Sequence, residues 1–186
     1  MSKRLAVLLS GTGSHLSAML DHKVPVTLVV TDRPCRAREI AEWTDIPYIL
    51  LPRIFGDDFD REQYTKDMLR ILREKEIGLV AMDGFKTIFS PTMFERGAYH
   101  HKILNIHPSL LPLSPGNNAV QDTLDSGVSI SGFTIHWATG ELDAGPSLLQ
   151  GSVPVHVDDT HDTLHQRIKD RELECYHVLV RQQLNG

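Results

Sequence analysis

Cysteine is scarce in this sequence: Cys35 and Cys175 are the only two in 186 residues, and they lie far apart. Neither has a neighbour at metal-ligand spacing, which argues against a zinc ribbon or a redox pair and leaves free thiols in a reducing compartment as the expectation. Cationic excess is missing too. Nineteen Lys and Arg against 24 Asp and Glu give a net charge of −5, and without a basic stripe no nucleic-acid partner is expected. Long apolar runs are absent: none approaches the roughly 20 residues a membrane span needs, so no membrane association is expected. The run from Leu5 to Leu9 is too short for a secretion signal and passes directly into a glycine loop. Repeats and low-complexity tracts are also lacking. What remains is an ordinary globular composition, 41% hydrophobic and 23% charged, which predicts a single cytoplasmic domain over residues 1–186.

The apolar residues are arranged as alternating strands and helices. "RLAVLLS" (Arg4–Ser10) is unbroken rather than alternating, as befits a strand buried on both faces. Val24–Thr31 and Pro47–Leu51 read as further strands, with a short helix "CRAREIAEW" between them. "DREQYTKDMLRILREKE" is a helix with Asp60 as N-cap and Gln63 completing a variant capping box; Tyr64, Met68, Ile71 and Leu72 form its apolar stripe. The strand "IGLVAMD", a helix near "SPTMFERGAY" and the strand "KILNIH" follow. This order predicts a doubly wound, mainly parallel α/β sheet with right-handed crossovers. Ser129–Thr139 and Ser147–Val155 are expected as antiparallel C-terminal strands, and a long C-terminal helix runs from about Thr160 to Leu184.

"LLSGTGSHL" joins the first strand to a helix, where backbone N–H groups and flanking glycines suit a phosphate. Asp32 lies near the distance at which a dinucleotide fold contacts ribose, but Leu16 stands where that fingerprint needs a small residue. No Gly-Lys-Ser/Thr follows, which excludes a Walker loop. The loop thus reads either as a monophosphate site or as a tight turn without a ligand.

In "ILNIHPSLLP" strand periodicity points Asn105 and His107 to one face and Leu104 and Ile106 to the other, and Pro108 ends the strand at His107. An amide donor beside an imidazole can bind an oxyanion and manage a proton. The same pair also fits a histidine bonded to a loop carbonyl and an asparagine in a turn. "GELDAGP" (Gly140–Pro146) is a constrained loop that offers Asp143 as a carboxylate partner for the ring. The pair His161 and His165 in "HDTLH" lacks the glutamate of a zinc-protease motif and reads as a solvated helix face, so no metal is expected.

Together, "LLSGTGSHL", "NIHPSLLP" and "ELDAGP" resemble, in order and spacing, the 10-formyltetrahydrofolate-dependent formyltransferases, over nearly the whole chain. The phosphate loop is most similar to the branch acting on glycinamide ribonucleotide in purine biosynthesis. The resemblance implies a Rossmann-like fold whose N-terminal half binds the phosphate and ribonucleotide and whose C-terminal half is catalytic and folate-binding. It implies 10-formyltetrahydrofolate as cosubstrate and a monomer or weak homodimer. Asn105, His107 and Asp143 match the catalytic trio: the substrate amine attacks the formyl carbon, Asn105 and a charged His107 stabilise the oxyanion, and Asp143 supports His107 and helps move a proton. On the substrate side the match implies Gly13, Ser14 and His15 at the phosphate, Gly84 and Lys86 where the two ligands meet, Ile106 and Pro108 beside the amine, and Glu172 at the ribose hydroxyls. For the folate it implies Arg61, Lys86, Thr87, Ile88, Phe89, Leu104, Asn105, Glu141, Leu142 and Asp143.

The chain departs from the family pattern at three places. His15 replaces the usual asparagine of Gly-x-Gly-Ser-Asn, and is expected to add a donor to the phosphate. Lys86-Thr87 stands where Met-Arg or a similar pair is commoner, and Val120 stands where the family usually has histidine. The alternatives are a formyltransferase on another amine, a 10-formyltetrahydrofolate hydrolase, and a non-catalytic paralogue that binds folate or a phosphorylated ligand. The transfer-RNA enzyme and the hydrolase carry an additional C-terminal or N-terminal domain, for which this sequence offers no segment.

Overall fold

The computed structural model describes residues 3–54, 56 and 58–186. Its centre is β1 (Arg4–Leu9), whose Leu5, Val7 and Leu9 enter one core and whose Ala6 and Leu8 enter the other. Burial on both faces is why this strand is apolar without alternation. Around it β2 (Val26–Thr31), β3 (Tyr48–Leu50), β4 (Ile77–Asp83) and β5 (Ile103–His107) pair in parallel, while β6 (Ile130–Trp137) and β7 (Ser147–Pro154) add as an antiparallel hairpin. The strand order is β3-β2-β1-β4-β5-β6-β7, so the chain reverses its direction of growth between β1 and β4. A crevice opens at such a reversal, at the carboxyl ends of the two strands.

The helices are α1 (Ser14–Asp21), α2 (Ala37–Trp43), α3 (Arg61–Glu74), α4 (Ala119–Asp125) and α5 (His161–Asn185). Residues of α1, α2, α4 and α5 share one core with one face of the sheet, and residues of α3 share a second core with the other. The doubly wound, mainly parallel sheet expected from the sequence is therefore the fold observed.

Local differences have local causes. The helix expected near "SPTMFERGAY" is a single 3-10 turn, Pro91–Phe94, because Glu95 is extended and Gly97 takes a φ of +92°. The box at α3 forms by half: Asp60 accepts from the Gln63 N–H at 2.8 Å, but the Gln63 amide turns to Asp67 instead of back. A full capping box forms at α5, where Thr160 and Thr163 each take the other's backbone N–H. Helix α4 was not expected; its short stripe of Ala119, Val120 and Thr123 is too brief to stand out by period. Both thiols are free and half-buried.

Candidate functional site

The crevice at the β1/β4 reversal is a polar cleft. Its walls are the β1–α1 turn (Ser10, Gly11, Thr12, Ser14), the end of β4 (Asp83, Gly84, Lys86) and one face of α5 (His165, Lys169, Glu172). Gly13 takes a φ of +72° as N-cap of α1, and a Cβ there would lie 2.9 Å from Ile40 Cδ1, so glycine is required. With that turn in place, α1 begins at Ser14, which lines the cleft, so the uncapped first turn of the helix starts beside it. Ile106 and Pro108 line the far wall, so each substrate-side candidate, Gly13, Ser14, His15, Gly84, Lys86, Ile106, Pro108 and Glu172, lies in or against this one cleft.

His15, expected as a phosphate donor, lines the polar cleft with its ring turned toward two carboxylates. Its Nδ1 donates to Asp83 Oδ1 at 2.7 Å, and its Nε2 lies 3.3 Å from Glu172 Oε2. The second contact is an ion-pair distance without hydrogen-bond alignment, and Nε2 has no hydrogen-bonded partner. Both ring nitrogens therefore face carboxylates on the cleft floor, Nδ1 hydrogen-bonded and Nε2 not. Burial opposes a charge on the ring, but the hydrogen bond to Asp83 and the contact with Glu172 outweigh it, and the pKa is pushed up to about 9.

On the other side of β5 lies an apolar cleft, lined by Phe85, Ile88, Phe89 and Phe94 from the β4–β5 connection and by Thr139–Asp143 from the β6–β7 loop. The two clefts enclose about 540 and 940 Å³ of empty space, open to solvent. Glu141 and Leu142 are exposed at its rim, and Thr87 is buried in its wall. Three folate-side candidates fall elsewhere, and Lys86 is one of them, on the polar cleft. Leu104 is fully buried with its side chain in the core beneath α5, because strand alternation turns it away from Asn105. Arg61 is exposed in the first turn of α3, outside the residues that line the cleft.

The wall between the clefts is fixed by a network at the strand ends. Asp32, fully buried at the end of β2, accepts from Thr87 Oγ1 at 2.8 Å and from Arg33 at 2.9 and 3.1 Å, and the Lys86 N–H donates to Ser10 Oγ at 2.8 Å. Burial would raise the Asp32 carboxyl, but Arg33, Ser10 and Thr87 hold it below its ordinary value. Asp32 thus supports the loop rather than a ribose. Along that loop Asp83, Gly84 and Lys86 line the polar cleft, and Phe85, Thr87 and Ile88 the apolar one.

Asn105 lies in register with Met82 of β4 and His136 of β6, and all three line the apolar cleft. The Asn105 amide Nδ2 donates to His136 Nε2 at 3.1 Å, while His136 Nδ1 donates to the Trp137 carbonyl at 3.1 Å. The Nε2 atom also lies 3.6 Å from Asp143 Oδ1, so His136 is shared between the Asn105 amide and that carboxylate, and one N–H of Asn105 remains for a ligand. The sequence offered a signal for His136 that went unread: antiparallel pairing of "KILNIH" with "SGFTIHW" places it opposite Asn105.

His107 satisfies both readings made from the sequence. Its Nε2 donates to the Ser114 carbonyl at 2.8 Å, a loop contact, while its Nδ1 lies 3.4 Å from Asp143 Oδ2. Both nitrogens face acceptors. Asp143 takes a φ of +52° in a loop laid back over the sheet, and its Oδ2 also accepts from the Gly116 N–H at 2.9 Å. Burial would raise its carboxyl, but His136, the Gly116 N–H and His107 together hold it below the usual carboxylate range. The loop that carries Ser114 is fastened in turn: Gln150 donates to the Leu111 carbonyl at 2.9 Å, and Thr134 Oγ1 donates to the Ser109 carbonyl at 2.7 Å. Val120 is buried in the core and lines neither cleft.

Among the described residues no cluster of His, Cys, Asp and Glu is placed to hold a metal ion, and no helix is long and apolar enough to cross a membrane. His165 lies on the rim of the polar cleft, 5.6 Å between ring centroids from His161.

A family model described as formyl transferase matches residues 3–180. The phosphoribosylglycinamide formyltransferase of Mycobacterium tuberculosis (strain H37Rv) is 38% identical over 174 residues, which make up 91% of this chain and 79% of that one. That of Bacillus subtilis (strain 168) is 33% identical over 98% of this chain and 95% of its own. The crystal structure of phosphoribosylglycinamide formyltransferase from Anaplasma phagocytophilum superposes with a TM-score of 0.86 at 36% identity, covering 97% of this chain and 86% of that one.

Proposed function

The chain belongs to the formyl transferase family, and from that premise we propose that it transfers the formyl group of 10-formyltetrahydrofolate to the primary amine of glycinamide ribonucleotide, in purine biosynthesis. One observation carries the reading: two clefts of opposite character are separated by the end of one strand, where Asn105 lines the apolar side and Ile106 the polar side. A two-substrate transfer needs its ligands held apart and its reacting atoms brought together at the partition. The apolar cleft, with Phe85 and Phe89 on its wall and the polar 139–143 backbone at its rim, fits a flat pterin. The polar cleft, with the α1 N-terminus, Lys86 and Glu172, fits a phosphoribosyl group.

The charge that develops on the formyl oxygen is met by the free N–H of Asn105, whose amide is oriented by His136. In this reading His107, held on the Ser114 carbonyl and beside Asp143, adds positive charge near the same place. Asp143, a weak base in these surroundings, keeps the charge on His107 and relays the amine proton toward the leaving nitrogen through water. Thr87, Ile88, Phe89, Glu141 and Leu142 line the folate's side. Lys86 stands at the junction.

The test is an assay of the purified protein with 10-formyltetrahydrofolate, with and without glycinamide ribonucleotide. Formyl transfer that requires the amine supports the reading, and release of folate without the amine overturns it in favour of hydrolysis. His107→Ala and Asp143→Asn are each expected to lower kcat by about 10²–10⁴ with the fold intact; turnover near the wild-type rate in either would remove that residue from the chemistry.

A further inference from the structure

We infer that His15 is a cationic positioning residue of the polar cleft, placed between Asp83 and Glu172 so that the two carboxylates can lie together beneath an anionic ligand with Glu172 aimed at its sugar. The inference rests on assigning that cleft to a phosphoribosyl ligand. The three side chains come from three elements, α1, β4 and α5, and their exposures are only 6%, 11% and 6%. Tyr176 packs edge-on against the imidazole at 5.6 Å between ring centroids, and its hydroxyl donates to the Met82 carbonyl at 2.9 Å, so the ring is confined on a third side.

Two buried carboxylates facing one cleft floor repel each other and any phosphate above them, and burial removes the water that would screen this. A cation between them cancels one of the two charges and supplies each with an attractive partner. Of the other charged and titratable groups on the cleft, Lys86, Lys169 and His165 form no ion pair with Asp83 or Glu172, and His165 feels Glu172 only through its charge. Burial lowers His165, so it adds little positive charge near neutrality. Tyr176 is held well above its ordinary value by burial and stays neutral. The remaining polar capacity lies at the floor itself: His15 Nε2 and Asp83 Oδ2 are buried without hydrogen-bonded partners. His15, with its pKa pushed up to about 9, carries its charge at neutral pH.

The test uses ribose 5-phosphate as probe, titrated calorimetrically into the wild type, His15→Asn and the double variant His15→Asn/Asp83→Asn. At about pH 7 the expected affinity of His15→Asn is about tenfold below wild type, while the double variant, relieved of one carboxylate, recovers most of the loss. Between about pH 7 and about pH 10 the wild type loses about tenfold and His15→Asn changes little. In steady-state formyl transfer His15→Asn raises KM for the ribonucleotide by a similar factor, with kcat and the folate KM within about twofold. A residue serving the fold alone would shift both KM values. Equal affinities in wild type and His15→Asn, or parallel pH profiles, overturn the inference. Should His15→Asn fail to fold, the wild-type pH profile decides alone, and a flat one is refuting. Absence of ribose 5-phosphate binding by the wild type also overturns it, whereas formyl transfer to glycinamide ribonucleotide is read separately.

Discussion

Raising the pH from neutrality to about 10 should destabilise this protein through His15 more than through any other single group. Its pKa moves from 6.5 in the unfolded chain to about 9 in the fold. The sign follows from where the proton is held. Because the folded pKa is the higher one, the extra stability is fully present below 6.5 and is lost as the pH rises through about 9. At about 1.4 kcal/mol per unit, the shift corresponds to about 3 kcal/mol, a large part of a domain's usual 5–15 kcal/mol, itself only a rough range. The side chain is only 6% exposed, so solvent screening removes little of it. Urea denaturation of the wild type at intervals from about pH 6 to about pH 10, with His15→Asn as the reference for all other titrations, reads the effect directly. The difference curve should fall by about 3 kcal/mol across that window. If the two proteins lose stability in parallel, the imidazolium is not held between Asp83 and Glu172 in solution, and the reasoning fails.

Other perturbations are equally direct. Gly13→Ala forces a φ of +72° on alanine and drives its Cβ toward Ile40, so thermal denaturation should register a loss of about 1–3 kcal/mol; an unchanged midpoint would mean the turn relaxes freely. Thr87→Val takes a donor from buried Asp32, and should cost about 1–3 kcal/mol while raising KM for the folate more than for the ribonucleotide. His136→Phe removes the acceptor that orients Asn105 and should lower kcat by about tenfold to a hundredfold with both KM values nearly kept. A kcat within about twofold of wild type would show that Asn105 orients itself.

The parts of the fold legible in the sequence were those with strong periodic or steric signals. β1 declares itself because burial on both faces removes polar residues, and α5 because a long amphipathic pattern begins at a Thr160 cap. Asn105 and His107 could be placed at a strand end because Pro108 stops the ladder. The sequence named His15 and Glu172 separately, gave no sign of Asp83 and could not join the three: His15 and Asp83 are 68 positions apart, and the cluster forms only where α1, the end of β4 and α5 meet. The contacts of His15 were hidden for the same reason, since its place beside the glycine loop suggests a phosphate and only the tertiary packing brings its ring to two carboxylates. Leu104 was assigned to the folate although its own strand phase sends it to the opposite core. The 3-10 turn and α4 escaped because one or two turns of helix carry too few residues for a period to show.

The partition between the clefts is a single strand end, with Asn105 on one side and Ile106 on the other. For anyone building an inhibitor, that thinness matters more than the shape of either chamber. A molecule bearing a flat heterocycle for one side and an anionic sugar mimic for the other needs only a bridge long enough to step across Asn105 and Ile106. Once the first half has docked, the second meets its chamber at high effective concentration, so two weak fragments joined over this narrow sill should bind far more tightly than either alone.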